Sequence, residues 1–410
     1  MTREPPAGIG SLLADGNYLR IWLMGGLAGA SRWLEMLALG IYAVEVTGSP
    51  LLVALLMILR LAPLVLFGVV IGTLADRADR KLVVIASLVL VFALSVVMLA
   101  LSWSGAVAYW HVAVAAFVSG MFWATDMPIR RRLIGDVAGA GRIAQAMSLD
   151  SATNNATRMV GPLLGGALYQ WLGLSGVYGL NTVTYGLCLV LALGLLLHQD
   201  RDEDPGAPAR ATPLRDLVEA FRYARRDREF LRILAVTVVF NVWGFAFMSM
   251  LPVIGEAELG LAPGEIGVLT SLEGVGAFLG AVAVAWLAGT SRLRFRRIYY
   301  FGTLAYLVLV FLVGWAPTVA ATAGALVAVG LAGACFSSMQ STLTYVVAPP
   351  ALRSRMFGLL AICIGTGMIG SVNVGLMAEY FGASVALQIM AVEGLIPLVL
   401  VGVGWRALRR

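Results

Sequence analysis

The sequence predicts an all-α membrane protein with twelve transmembrane helices in two halves of six, and three observations support this. Hydrophobic residues make up 60% of the 410 residues and charged residues only 13%, whereas soluble proteins carry roughly 25% charged residues. The apolar residues fall in twelve runs, each near the ~20 residues that a membrane-spanning helix needs. A long polar segment separates the sixth run from the seventh. These features exclude a soluble enzyme, a disordered protein and a secreted disulfide scaffold.

The expected spans follow from the continuous apolar runs, since strands of a membrane barrel would show alternating segments instead. They cover residues 18–46, 50–74, 81–102, 107–129, 144–171, 174–197, 230–254, 264–289, 298–315, 318–347, 350–380 and 384–405. The division at residues 102–107 is the least marked. We place a turn there because a single helix from 81 to 129 would be far longer than a bilayer requires.

The basic residues predict the orientation of the spans. Of the 29 Lys and Arg residues, 26 lie at the termini or in loops that follow even-numbered spans, and three lie within spans. Loops that follow odd-numbered spans hold none. Because Lys and Arg accumulate on the cytoplasmic side, both termini are expected to be cytoplasmic in a plasma (inner) membrane. The net charge of +6 therefore reflects topology, and no nucleic-acid partner is expected.

The polar segment divides the chain into residues 1–198, a linker at 199–229, and residues 230–410. Thr212 can cap a helix that starts at Pro213. Apolar residues follow at helical spacing with arginines opposite, which predicts an amphipathic helix on the inner membrane surface; an ordinary solvated helix is the alternative. Six spans, a linker and six spans are typical of transporters built from two parallel repeats.

The loop after span two carries a recognisable motif. It reads Gly72-Thr-Leu-Ala-Asp76-Arg77-Ala-Asp79-Arg80-Lys81. This resembles the G-x-L-a-D-r-x-G-R-K signature of the major facilitator superfamily, with Asp79 in place of the family's glycine, as in its macrolide- and siderophore-exporting branch. The resemblance implies an inner gate formed by Gly72, Asp76, Arg77 and Arg80. Asp76 is expected to pair with Arg80 or to face the start of span eleven; the alternative is a loop that only sets topology.

Span five carries a second motif. The stretch from Arg158 to Gly166 contains Gly161, Pro162, Gly165 and Gly166, and it resembles the GPxxGG core of the superfamily's exporter motif. Proline removes a backbone hydrogen bond and kinks a helix, while glycines allow a neighbouring helix to approach closely. The resemblance implies export, and a helix contact without directional meaning is the alternative. The family's arginine in span four is absent.

Charged residues inside spans mark candidate functional positions, because a charge at the bilayer centre costs ~2.5–3.5 kcal/mol on insertion scales. The candidates for proton coupling or the substrate cavity are Arg32 and Glu35 in span one, Arg60 in span two, Asp126 in span four, Asn154 and Arg158 in span five, Asn241 in span seven, Glu273 in span eight and Glu393 in span twelve. All three intramembrane arginines lie in the first half, so a cavity between the halves would join surfaces of unlike charge.

Specific pairings follow from spacing. Arg32 and Glu35 lie three residues apart, so they share a helix face and can neutralise one another. Asp126 can pair with Arg130, four residues on. We expect Glu35 to carry the coupling proton, with Glu273 next and Glu393 structural; a static ion pair in span one is the alternative.

The sequence holds no HExxH, Walker lysine motif or CxxC, so we expect no metal, no cofactor beyond a proton gradient, and no enzymatic activity. The resemblance implies a secondary active transporter, which we expect to be a proton-coupled multidrug exporter of amphiphilic small molecules. Export of a siderophore or another anionic metabolite, and lipid or lysolipid transport, are the alternatives. Uptake of a metabolite and a receptor role remain open. The lipid bilayer and the substrate are the expected partners, and the family resemblance implies a monomer.

Overall fold

The computed structural model describes residues 9–77, 79–139, 142–196, 213–287, 291–349 and 352–405. Within these ranges the chain is almost entirely helical. The first half contains six long helices after a short one, Ile9–Leu13. The helices are α1 (Gly16–Thr47), α2 (Pro50–Arg77), α3 (Arg80–Trp103), α4 (Tyr109–Ala138), and α5 and α6, which together form the continuous segment Ile143–Leu193.

Gly173 divides that segment into α5 (143–172) and α6 (174–193). Its φ of 60° and ψ of −154° are non-helical, and glycine reaches positive φ without the steric cost that a Cβ imposes. The chain therefore turns back across the bundle at this residue, which agrees with the two spans expected from the sequence.

The second half follows a linker helix, Pro213–Arg226, which starts at the proline that the sequence indicated. Thr212 lies outside the described residues. The helices of this half are α7 (Arg228–Glu258), α8 (Pro263–Leu287), α9 (Arg292–Trp315), α10 (Val319–Val347), α11 (Arg353–Gly365 and Gly367–Phe381) and α12 (Ala383–Gly404).

Ten described helices are long and apolar enough to cross a membrane. One of them, Gln145–Leu193, contains both α5 and α6. α1 is not among the ten, because Arg32 and Glu35 lower the mean hydropathy in the middle of its 32 residues. Counting α1 and separating α5 from α6 gives twelve spans, which confirms the predicted fold.

Within each half, the first helix starts on the side of the bundle where the last helix ends. Asn17 Nδ2 at the start of α1 donates to the Leu196 carbonyl after α6, at 2.8 Å. Arg232 near the start of α7 donates to the Gly404 carbonyl at the end of α12, at 2.5 Å. We call this side the terminal face and the opposite side, where α1 meets α2 near Gly48, the far face.

The halves meet through α1 with α7, α2 with α11, and α5 with α8. At the far face, Ser49 Oγ and Leu51 N both donate to Glu379 Oε2, at 2.7 and 3.2 Å. The amide of Gly264 donates to Gln170 Oε1 at 2.8 Å. In the described ranges, these bonds and one ion pair at mid-depth are the polar contacts that join the two six-helix bundles. The passage between the halves is therefore closed at the far face.

Helix α7 is irregular from its middle to its end at the far face. Phe240–Gly244 and Ile254–Glu258 are π-helical, and Phe245–Met250 is a 3₁₀-helix. Pro252 contributes a physical reason, since it has no N–H and its ring clashes with the carbonyl four residues earlier. Mid-helix segments of this kind often mark a hinge or a functional site, and this one lies against the other half.

Candidate functional site

Glu35 of α1 forms a buried ion pair with Arg60 of α2. Arg60 Nη2 lies 3.1 Å from Glu35 Oε2, and their side chains are 6% and 2% exposed. The hydroxyl of Tyr178 donates to Glu35 Oε1 at 3.3 Å. Two helices besides α1 therefore hold this carboxylate, and all three belong to the first half.

The expected pairing of Arg32 with Glu35 is wrong. Arg32 instead donates through Nη2 to Asn154 Oδ1, at 3.0 Å. Sequence spacing places the two residues near one face of α1, but it does not include the long side chain that arrives from α2. Arg60 pairs with the Glu35 carboxylate and also donates to the Arg32 carbonyl, at 3.3 Å.

Close helix packing positions Arg60 for this contact. A Cβ added to Gly120 of α4 would lie 2.2 Å from the Arg60 carbonyl oxygen, a distance that real Cβ atoms do not reach. The glycine therefore allows α2 and α4 to approach until Arg60 is enclosed. Burial without a partner would be costly for a guanidinium, so the pairing with Glu35 is what makes this packing tolerable.

Arg158 of α5 and Glu273 of α8 form the ion pair that joins the halves at mid-depth. Arg158 Nη2 lies 2.5 Å from Glu273 Oε1, and the glutamate side chain is fully buried. Glu273 Oε2 and Arg158 Nε have no hydrogen-bond partner among the described residues. The pair thus joins surfaces of unlike charge from the two halves, as the distribution of charges suggested.

A third charged group lies nearer the terminal face, within the first half. Arg130 binds Asp126 at 3.1 Å through Nε and also Asp150 through Nη1. The pairing of Asp126 with Arg130 that the spacing indicated is therefore present. Gly25 of α1 leaves room for it, because a Cβ there would overlap the Arg130 guanidinium.

The glycines of the span-five motif pack against two helices. A Cβ on Gly161 would lie 2.5 Å from Trp33 Cβ, and one on Gly165 would lie 2.6 Å from the Leu34 carbonyl. Gly166 faces α8 instead, where a Cβ would lie 2.8 Å from Gly267 Cα. These glycines therefore bring α5 against α1 within the half and against α8 across the interface. Pro162 stays within the helix, and its carbonyl contacts Gly267.

The loop motif is only partly described. The surroundings of Gly72 and the side chains of Asp76 and Arg77 lie outside what the structure describes, so the expected contact of Asp76 stays a prediction. Asp79 is the N-cap of α3, and its Oδ1 accepts from the amides of Lys81 and Leu82 at 2.8 and 3.2 Å. Arg80 binds Asp136 at the end of α4, at 2.5 Å. The aspartate at the family's glycine position thus has a local structural role.

Glu393 of α12 contacts only its own half among the described residues. Its Oε2 accepts from Asn373 Nδ2 at 2.8 Å and from Trp243 Nε1 at 3.1 Å. Asn241 is buried and donates to the Thr237 carbonyl one turn earlier in α7, at 2.9 Å. Neither side chain is brought together with the Arg158–Glu273 pair.

Two cavities adjoin the charged residues. An apolar cavity lies between the halves. It is lined by Trp33, Met36, Leu37, Leu39, Gly40, Val53, Leu56, Met57, Arg60, Ala116, Pro162, Met248, Ser249, Pro252 and Thr270. A smaller, more polar cavity lies in the first half and includes Arg32, Trp123, Asp126 and Asn154. Arg60 lines both cavities.

Sequence reasoning missed the tyrosines that accompany these pairs. Tyr178 of α6 donates to Glu35, and Tyr306 of α9 is fully buried with a hydroxyl that has no hydrogen-bond partner among the described residues. A usable signal existed, because a tyrosine buried in an apolar helix needs a partner for its hydroxyl. The identity of that partner lies 143 residues away for Tyr178 and does not follow from spacing.

Twelve helices in two halves, with an ion pair and an apolar cavity between them, define a multi-pass membrane transporter of the major facilitator type. Within that superfamily the chain belongs to the transmembrane secretion effector family, whose sequence profile matches residues 11–406.

Similar proteins agree with this assignment. The chain is 25% identical over 382 residues to the uncharacterized MFS-type transporter YfiS of Bacillus subtilis, covering 90% of this chain and 89% of the relative. It is 19% identical over 387 residues to macrolide efflux protein A of Streptococcus pyogenes, covering 90% and 91%. It is 22% identical over 224 residues to the staphyloferrin A transporter of Staphylococcus aureus, covering 54% and 55%.

Solved structures share the fold. A bacterial homologue of the human lysosomal transporter spinster, in an inward-facing and unoccupied conformation, superposes with a TM-score of 0.73. The sequences are 16% identical, and the match covers 95% of this chain and 96% of that one. At this identity the likeness shows the fold alone.

Proposed function

We propose that this transporter exports amphiphilic small molecules in exchange for protons, by alternating access, as a monomer in the plasma (inner) membrane. Both termini are cytoplasmic in this proposal, so the terminal face is the cytoplasmic one. A proton gradient supplies the energy, and no cofactor takes part. The resemblance of the span-five motif to the exporter motif and the similarity to a macrolide efflux protein support export over uptake.

The observation that carries the proposal is the Arg158–Glu273 pair. It joins α5 of one half to α8 of the other, with the carboxylate fully buried. Rocking of the halves that separates these helices must break the pair, and an unpaired buried carboxylate is costly unless it takes up a proton. The pair thereby links protonation of Glu273 to the position of the halves.

This argument moves the coupling role from Glu35 to Glu273. Glu35, Arg60 and Tyr178 all belong to the first half, so a rigid-body movement of that half carries them together. Glu273 has its partner in the opposite half and one oxygen free of hydrogen bonds among the described residues. Glu35 remains the second candidate.

The apolar cavity supports an amphiphilic substrate. Met36, Met57 and Met248 line it together with Trp33. Methionine side chains are flexible and polarizable, and they repack around ligands of different shape. Export of an anionic metabolite such as a siderophore is the second candidate, because Arg32, Arg60 and Arg130 line the adjoining polar cavity and one relative is named for staphyloferrin A. Nothing in the described cavities favours lipid transport specifically.

A transport assay with purified protein in proteoliposomes tests the proposal. An imposed pH gradient should drive movement of an amphiphilic probe, for which the cationic rhodamine 6G and the anionic dansylglycine are compared, and adding a transported probe should release protons from the vesicles. Glu273→Gln should abolish the response to the gradient while leaving probe exchange without a gradient in place. Glu265→Gln is the matched control, since this exposed glutamate caps α8 at the far face by accepting from the Ala262 amide.

Two results would contradict the proposal. One is gradient-driven transport by Glu273→Gln at the wild-type rate, which would return the coupling role to Glu35 and be checked with Glu35→Gln. The other is probe movement that ignores the gradient in the wild-type protein.

A further inference from the structure

Arg32 is a partly buried cation of the first half, and its described polar partner is neutral. Arg60 is paired with Glu35, and Arg130 is held by Asp126 and Asp150. Arg32 has no ion pair with any described residue, and its side-chain hydrogen bond goes to the amide oxygen of Asn154. Its guanidinium therefore keeps the capacity to bind an anion.

Two indole rings flank this guanidinium. Arg32 Cζ lies 5.2 Å from the ring centre of Trp33 and 5.2 Å from that of Trp123. Aromatic faces stabilise a guanidinium by cation–π attraction without consuming its N–H donors. The rings thus hold the planar fork in place while leaving donors for a carboxylate, which this fork binds in bidentate fashion.

The surroundings of Arg32 favour a negative ligand. The polar cavity is lined by three guanidinium groups, those of Arg32, Arg60 and Arg130, and by one carboxylate, Asp126, which is already bound to Arg130. Arg60 is paired with Glu35, and Arg130 with Asp126 and Asp150, so Arg32 is the guanidinium of this cavity without a carboxylate partner among the described residues. A carboxylate at Arg32 would gain a charge-assisted contact, whereas an ammonium group beside it would meet repulsion at short range.

The adjoining apolar cavity indicates the rest of the ligand. Trp33, which contacts Arg32 on one side, lines that cavity, and Arg60 lines both cavities. A ligand with its anionic group at Arg32 can therefore place an apolar or aromatic body against Trp33 and the methionines beyond. Arg158 approaches the same indole, with Cζ 5.4 Å from its ring centre.

We propose that Arg32, Trp33, Trp123 and Asn154 form a subsite for the carboxylate of an amphiphilic organic anion. The subsite rests on the proposed function, since it names the charge class of the substrate in the same cavity. It is reached from the side of the terminal face, because the far face is closed, and the Asn154 side of the subsite is exposed. Cationic amphiphiles bind at this subsite more weakly than anionic ones of equal size.

Equilibrium binding of a matched probe pair tests this subsite. Dansylglycine and dansylcadaverine share one fluorophore but carry a carboxylate and an ammonium group. Their fluorescence is titrated with purified full-length protein in lipid nanodiscs, with empty nanodiscs subtracted. Wild-type protein should bind dansylglycine more tightly. Arg32→Gln should weaken that binding about 10- to 100-fold, the loss expected for a charged hydrogen-bonded contact, and should change dansylcadaverine binding less than about 2-fold.

Two further variants complete the test. Arg32→Lys keeps the charge but loses the planar guanidinium, so its affinity for dansylglycine should lie between those of the wild type and Arg32→Gln. Arg292→Gln is the matched control; Arg292 lies on the terminal face of the other half and shares Glu229 with Arg296. It should bind both probes as the wild type does.

Wild-type binding of dansylcadaverine as tight as that of dansylglycine would overturn the subsite even if Arg32→Gln does not fold. Unchanged dansylglycine affinity in Arg32→Gln would also overturn it. Binding needs no gradient, so Arg32-dependent binding of dansylglycine without pH-driven transport would support the subsite and contradict only the proposed function.

Discussion

The Glu35–Arg60 and Arg158–Glu273 pairs are both buried in the membrane-spanning region, but they differ in what they connect. The first joins α1 to α2 within one half and is supported by Tyr178. The second joins α5 to α8 across the interface, and each partner keeps an atom without a hydrogen bond among the described residues. Both oxygens of the Glu35 carboxylate are hydrogen-bonded within one half, although Arg60 Nε is not, whereas Glu273 keeps one oxygen without a hydrogen bond among the described residues and has its partner in the half that can move away.

This difference suggests a division of labour. A buried pair contributes little net stability relative to apolar packing, but losing one partner is strongly destabilising. Within a half, such a pair therefore constrains the packing of its helices in every state. Between the halves, the same energetics make the stability of the conformation that contains the pair depend on whether Glu273 is charged. Variants of both pairs test whether they differ in this way.

The largest expected effect is on stability in the first half. Glu35→Gln leaves Arg60, which is 5% exposed, without a counter-charge. The free energy of unfolding should fall by ~3–5 kcal/mol, measured by denaturant titration of the purified protein. Glu273→Gln should cost less, because Arg158 is partly exposed and also contacts the rings of Trp33 and Phe245.

A double variant sharpens this result. Glu35→Gln combined with Arg60→Met removes the buried charge altogether and should recover most of the lost stability. If the free energy of unfolding of Glu35→Gln alone lies within about 1 kcal/mol of the wild-type value, the two pairs do not differ as described.

The next effect concerns the interface at the far face. A Cβ on Gly166 would lie 2.4 Å from the Pro263 carbonyl, so Gly166→Val should destabilise the closed far face by ~1–3 kcal/mol, as overpacking does. In a background without Cys188, Cys335 and Cys363, a cysteine at Met248 reports access to the apolar cavity. Its labelling by a membrane-impermeant maleimide added at the far face should increase.

Gly324→Val is the control for this experiment, because a Cβ on Gly324 meets no atom within 4 Å. It should leave the labelling of the cysteine at Met248 unchanged. Equal labelling in the Gly166 and Gly324 variants would mean that the α5–α8 glycines do not control closure.

Much of the fold could be predicted from the sequence because the bilayer imposes a simple rule. Each span must be an apolar helix of limited length, and the arginines mark alternate loops. The end of α3 at Trp103 and the start of α4 at Tyr109 fall at the least marked of the predicted turns. The irregular course of α7 was not predicted, because its π and 3₁₀ segments depend on packing as well as on Pro252.

The candidate site could be predicted only in part. The sequence identified Glu35, Arg60, Arg158 and Glu273 as intramembrane charges, because such residues are rare and costly. It did not identify their partners. The i, i+3 rule relates side chains on one helix, whereas Arg60 reaches Glu35 from a helix that starts elsewhere in the chain. Pairing by charge alone left three arginines for two of these glutamates, and only packing decides among them.

A smaller effect is expected at the N-cap of α3. Asp79→Ala removes the acceptor for the amides of Lys81 and Leu82, and should lower stability by ~0.5–2 kcal/mol. Asp79→Gly restores the family's residue and should cost less than Asp79→Ala, since glycine is a tolerated N-cap. Thermal unfolding of both variants measures the difference. Equal losses would indicate that Asp79 acts outside the cap.

The smallest effect is expected for the Arg80–Asp136 pair, which provides an exposed contrast to both buried pairs. The two side chains are 26% and 49% exposed, so water and salt screen their attraction. A double-mutant cycle with Arg80→Gln and Asp136→Asn should give a coupling energy of ~0–1 kcal/mol, falling towards zero at 1 M salt, where the Debye length is ~3 Å. The same cycle on Arg60 and Glu35 should give a larger coupling energy that does not change with salt, because burial keeps dissolved ions away from the pair. A coupling energy for Arg80–Asp136 above about 2 kcal/mol would mean that exposure is not what separates these pairs, and that Arg80 is enclosed by neighbours when the halves change position.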